Sequence, residues 1–140
     1  MTADAFPDLQ LLAKKLLQLP PAEPPATAQM VYGYVRTRAL QSAHAYANAC
    51  ADLLTWWSVA SGMCLGTVFR DQGVASTALI RPGFTGLLDV LRLPDSACAL
   101  VIDRTHLSAF SAIAKQLTAD IRRTGSTVRI LADELSEVTA

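Results

Sequence analysis

Histidine, cysteine and glycine are scarce, at two, three and seven residues in a chain of 140. That scarcity excludes several kinds of chemistry. His44 and His106 lack metal-ligand spacing, and Cys50, Cys64 and Cys98 contain no C-x-x-C pair, so neither a metal site nor a disulfide framework is expected. The three cysteines read instead as small buried apolar residues of a reducing compartment. Gly73, Gly83 and Gly86 do not compose the GxxxxGK(S/T) loop of a nucleotide site. No GxSxG elbow is present, and Asp103, His106 and Ser108 crowd one strand end, whereas a catalytic triad draws on separate elements. Thr37-Arg38-Ala39-Leu40 lacks the Ser, Thr and Gly of a flavin phosphate loop. No cofactor and no metal is expected.

An excess of charge is missing too: 12 basic residues balance 12 acidic ones. A neutral chain lacks the strongly basic footprint of a protein that binds nucleic acid unaided. No apolar run reaches the roughly 20 residues that span a bilayer. At the N-terminus Asp4 and Asp8 stand where a secretory leader needs positive charge, and Lys14-Lys15 interrupt the apolar stretch. The expectation is a soluble cytoplasmic protein with no membrane partner.

Apolar residues are abundant, at 51% of the chain, enough for one core without staples. Residues 1–28 read as an amphipathic helix and a Pro-rich linker. Leu9, Leu12, Leu16 and Leu19 share a helical face after an Asp8 N-cap, and Pro20-Pro21 stops the helix and opens an extended segment to Pro25. An arm packed on its own domain is expected, with a docking helix for a partner as the alternative. Residues 29–140 read as an α/β domain. Strands are expected over Met30–Arg36, Cys64–Arg70, Cys98–Ile102 and Thr127–Leu131. Helices are expected over Ala39–Ala60, from Arg81-Pro82 to Leu91, and over His106–Arg123. Trp56 and Trp57 sit beside Leu53 and Leu54 on the first of these helices and read as core. Strands alternating with helices imply a mostly parallel four-stranded sheet covered on both faces.

Charged residues stand where these strands emerge. In an open parallel sheet the C-terminal strand ends share one edge, where such folds bind ligands. Arg36, Arg38, Arg81 and Arg104 are therefore candidates for phosphate or anion binding, with Asp71 and Asp103 as supporting carboxylates. Arg36 and Arg38 share a strand face about 7 Å apart, so burial of both requires counter-charge. Either an anion supplies it, or Asp71 and Asp103 do so in an internal salt-bridge cluster; the second is the leading expectation for Arg38.

Four segments in order carry a family resemblance: Tyr34-Val35-Arg36, Phe69-Arg70-Asp71-Gln72-Gly73, Arg81-Pro82-Gly83-Phe84 with Leu87-Leu88-Asp89, and Val101-Ile102-Asp103-Arg104. From about Val31 to Leu131 the chain resembles the catalytic domain of serine recombinases, the resolvase/invertase family. The resemblance implies a three-layer, resolvase-like fold of flavodoxin-like topology, and it implies that Arg81 and Arg104 match positions that hold the scissile phosphate. The family's first strand reads Tyr-x-Arg-Val-Ser-Thr, with the serine as nucleophile. Here Arg38 occupies the serine's place, and a guanidinium has no usable lone pair for attack on phosphorus. The family's second arginine after the third strand is also missing, since Leu107 follows Asp103-Arg104-Thr105-His106. Thr37 is expected to face away from Arg36 and Arg38, and Ser42 reads as a polar helix residue.

The family continues into a long dimerisation helix and a helix-turn-helix module, whereas nine residues follow Leu131 here. The expected function is a recombinase-like domain without strand-exchange chemistry, serving as a protein-interaction or assembly module. Its expected partner is a second copy or a recombinase-like protein. The alternatives are a DNA-phosphate-binding accessory domain, with DNA held weakly, and an active recombinase with an unrecognised nucleophile.

Overall fold

The computed structural model describes residues 6–19, 29–38 and 43–137. The expected Pro20–Pro25 linker, Ser42 and the start of the expected second helix lie outside the described residues. The elements run α1 (Pro7–Leu16), β1 (Met30–Thr37), α2 (Ala43–Ala60), β2 (Cys64–Gln72), α3 (Pro82–Leu91), β3 (Ser96–Val101), a 3-10 turn (Arg104–His106), α4 (Ser111–Arg123), β4 (Thr127–Ile130) and α5 (Leu131–Glu134). All strand pairs are parallel, in the order β2-β1-β3-β4. This is the expected α/β sheet, with its sequence-order reversal between β1 and β3.

Alternation along the central strands splits the core into two layers. Val35, Leu100 and Ile102 face one way and pack with α1, α2, Leu131 and Leu135. Tyr34, Ala99 and Val101 face the other way and pack with Phe84, Leu87 and Leu91 of α3 and with Leu117 and Ile121 of α4. Helices therefore cover both faces. Leu53, Leu54 and Trp57 are buried as the sequence suggests, and Trp56 is half-buried. α1 packs on α2 through Leu9, Leu12, Ala13 and Leu16. Burial of each leucine there contributes about 2 kcal/mol.

Four expectations need correction. Cys64 is exposed rather than buried, because it opens β2, an edge strand. Asp8 is not the cap of α1: Phe6 holds the N-cap position, and the Asp8 carboxylate accepts from Tyr46. The helix expected from His106 to Arg123 is broken. Asp103 caps the 3-10 turn through the Thr105 N–H, and α4 begins only at Ser111. Between them Ser108 Oγ donates to the Ser76 carbonyl and accepts from the Phe110 N–H, which holds the connection in an irregular path. Finally, the strand expected to run to Leu131 ends at Ile130, where the chain turns straight into α5.

Gly83 lets α3 approach the end of β2. A Cβ at that position would lie 2.5 Å from the Arg70 carbonyl oxygen, so only glycine permits the contact. The approach places the first N–H groups of α3 over Asp71.

Candidate functional site

The strand ends do meet at one edge, and Arg36 and Asp71 are direct neighbours in the β1–β2 register. They nevertheless do not pair. Asp71 is buried and accepts from the Tyr34 hydroxyl at 2.7 Å, the Gly83 N–H at 2.7 Å and the Phe84 N–H at 2.9 Å. A helix N-terminus offers unsatisfied N–H groups and a favourable dipole, and those claim the carboxylate. Burial and the bond to Asp71 both raise the Tyr34 pKa well above its ordinary value, so the phenol stays protonated and donates.

Arg36 is 8% exposed, and every one of its observed side-chain partners is a backbone carbonyl. Nε and Nη2 donate to Thr105 O at 3.3 and 2.8 Å, and Nη1 donates to Val74 O at 2.9 Å. Arg81, fully buried, donates to Ala78 O at 2.8 Å, Ser76 O at 3.1 Å and His106 O at 3.4 Å. Together the two guanidinium groups tie the 74–78 loop to the 105–106 turn. Among the described residues none of the ion pairs involves Arg36, Arg38 or Arg81. Burial, and then the positive charge of Arg81, lower the Arg36 pKa. The internal salt-bridge cluster expected from sequence is thus not what holds these arginines. Asp103 spends one carboxylate oxygen on Thr105, and Arg38 is exposed.

Beside Arg36 lies a cavity of about 560 Å³. Arg36, Thr37, Arg38, Thr105 and His106 line it from the sheet edge, and Phe6, Asp8, Tyr46 and Ser76 line it from the surrounding elements. Thr37 is 4% exposed and its Oγ1 has no hydrogen-bond partner. Thr37 lines this cavity with Arg36 and Arg38 while its hydroxyl oxygen is sealed from solvent. Arg104 lies elsewhere. The cap at Asp103 turns the chain, and Arg104 bonds Asp133 at 3.4 Å in a second cavity of about 980 Å³ with Lys115, Arg122 and Arg129.

His106 is the residue whose role the sequence concealed. It reads as a helix start, yet it is buried, stacks on the Tyr46 ring at a centroid distance of 6.1 Å, and accepts the Arg36 N–H at Nδ1. A neutral imidazole that accepts at Nδ1 carries its proton at Nε2. Burial is the main reason its pKa falls to about 4, with Arg36 adding to the shift and Asp103 opposing it. Phe6, Asp8 and Tyr46 also went unread as lining residues. They belong to helices, and no motif marks a helix turn that reaches a strand end.

Chemically, the described residues of the arrangement offer fixed positive charge and hydrogen-bond donors. Position 38 holds no hydroxyl, the Thr37 oxygen is sealed from solvent, and Nδ1 of His106 is committed to the backbone. Among the described residues no group of three or more His, Cys, Asp or Glu is placed to hold a metal ion, and no helix is long and apolar enough to cross a membrane.

No protein-family model matches the chain, and no curated protein matches it. Solved structures do. The C-terminal catalytic domain of ISC1926 TnpA, an IS607-like serine recombinase, superposes with a TM-score of 0.63 at 15% identity, over 73% of this chain and 70% of that one. The N-terminal catalytic domain of TP901-1 integrase gives 0.63 at 20% identity, over 74% and 78%. The first open reading frame of transposon ISC1904 from Sulfolobus solfataricus P2 gives 0.53 at 19% identity, over 72% and 66%. The fold is that of serine recombinase catalytic domains.

Proposed function

We propose that this chain is a serine-recombinase-like domain that holds a nucleic-acid phosphate without breaking it, as a binding and assembly module of a recombination system. The observation that carries the reading is the buried Arg36 guanidinium, which lines the cavity and whose side-chain partners are neutral carbonyls. Carbonyls orient a guanidinium without neutralising it, and a phosphate oxygen entering the adjacent cavity supplies the missing charge. Exposed Arg38 adds a second cation at the cavity. The same residue removes the nucleophile, so the site retains the electrostatics of phosphate recognition without the step that cleaves it.

Salt dependence tests this. A mobility-shift titration with duplex DNA should show weak binding whose logarithm falls linearly with the logarithm of salt, with a slope of about −2 for two phosphate contacts. Arg38→Ala, an exposed and unpaired side chain, should leave the fold intact and reduce the slope by about 1. Absence of binding at the lowest salt contradicts the phosphate role.

Self-association is a second reading, favoured by Leu79 and Ile80, which are 56% and 90% exposed immediately before Arg81. Sedimentation that shows only monomers at high concentration removes it.

A further inference from the structure

α1 lies outside the strand–helix alternation that builds the sheet, yet its first turn reaches the arginine cavity. Phe6 and Asp8 line that cavity together with Arg36, Arg38, Tyr46 and His106. A stack of contacts holds the turn in place. The Phe6 ring meets Tyr46 edge-on at 5.1 Å, the Asp8 carboxylate accepts from the Tyr46 hydroxyl at 2.5 Å, and Tyr46 lies over His106. Behind the turn Leu9, Leu12, Ala13 and Leu16 are buried against α2. The apolar face thus anchors the helix, and its acidic first turn is left at the mouth of a cationic cavity.

We propose that α1 is a built-in competitor for the arginine cavity: Asp8 supplies at its mouth the negative charge that an incoming phosphate must displace or tolerate. This rests on the reading of the cavity as a phosphate site. A carboxylate lining the same cavity raises the cost of anion entry and offsets part of the positive charge that Arg36 and Arg38 bring to it. Phe6 and Tyr46 both line the cavity, so binding of an anion there is coupled to the packing of the first turn of α1. The chain then carries its own brake on the site.

The test is a titration of the full chain with inorganic phosphate at low salt, followed by NMR. Asp8→Asn keeps a carbonyl oxygen for the Tyr46 hydroxyl and removes only the charge. It should bind phosphate about tenfold more tightly than the wild type, a gain that shrinks as salt screens the site. Phe6→Leu preserves apolar contact with the core, opens the ring stack, and should also tighten binding. If the wild type binds phosphate, Arg38→Ala weakens it, and neither α1 variant tightens it, the competitor role is overturned and the phosphate reading stands. If neither wild type nor Asp8→Asn binds phosphate anywhere in the millimolar range, the phosphate reading falls and the competitor role falls with it.

Discussion

Replacing Asp71 with alanine is expected to destabilise the fold by about 3 to 5 kcal/mol, the largest effect of any single polar substitution at the sheet edge. Its carboxylate is 5% exposed and accepts three hydrogen bonds, from Tyr34, Gly83 and Phe84. Removing it strands a fully buried phenol and two N–H groups at the start of α3. The loss is structural, since Asp71 forms no ion pair with Arg36. A double-mutant cycle should therefore show strong coupling between Asp71 and Tyr34→Phe, and weaker coupling between Asp71 and Arg36 substitutions. Urea unfolding reads both. A cost under 1 kcal/mol for Asp71→Ala, or strong coupling to Arg36, would contradict this assignment.

Acid should weaken the protein through His106. Its folded pKa of about 4 lies below the ordinary value of 6.5. Between those values the unfolded chain binds a proton that the folded chain refuses, so stability is full above about pH 6.5 and is lost as the pH falls towards 4. The shift corresponds to about 3 kcal/mol across that window. The cause is geometric: a protonated ring would stand buried beside the Arg36 guanidinium and lose the acceptor for the Arg36 N–H. His106→Asn keeps an acceptor near the Nδ1 position and cannot titrate. Denaturation midpoints of this variant should be markedly flatter over the same pH range, and a slope equal to that of the wild type would assign the acid sensitivity to other groups.

Much of the fold is legible in the sequence because it rests on local signals. The strand runs Met30–Arg36 and Cys98–Ile102, the stop at Gly62 and the Pro82 helix start are short-range patterns, and the structure places their elements within a few residues of expectation. The break at 107–110 was hidden because it depends on Ser108 reaching Ser76, a contact 32 residues distant in sequence. At the site, composition and order brought Arg36, Arg38 and Asp71 to one edge correctly. Partner choice was not legible. Asp71 is claimed by helix N–H groups, and Arg36 by carbonyls of two loops, neither of which a strand pattern encodes. Arg104 departs because one capping contact at Asp103 redirects the backbone. The aromatic stack from Phe6 through Tyr46 to His106 joins three elements and has no sequence signature at all.

On the proposed reading a phosphate is held here and not attacked, with Arg38 at the place that the family resemblance gives to the nucleophilic serine. Thr37 is the hydroxyl nearest to challenging it: its oxygen is unpartnered and its residue lines the cavity. The decisive measurement is to incubate the full chain with supercoiled DNA, denature with detergent, and look for DNA that remains attached to protein. All of the DNA should be released, from the wild type and from Thr37→Val alike. A detergent-resistant adduct with the wild type would contradict the account, and its loss in Thr37→Val would identify the nucleophile.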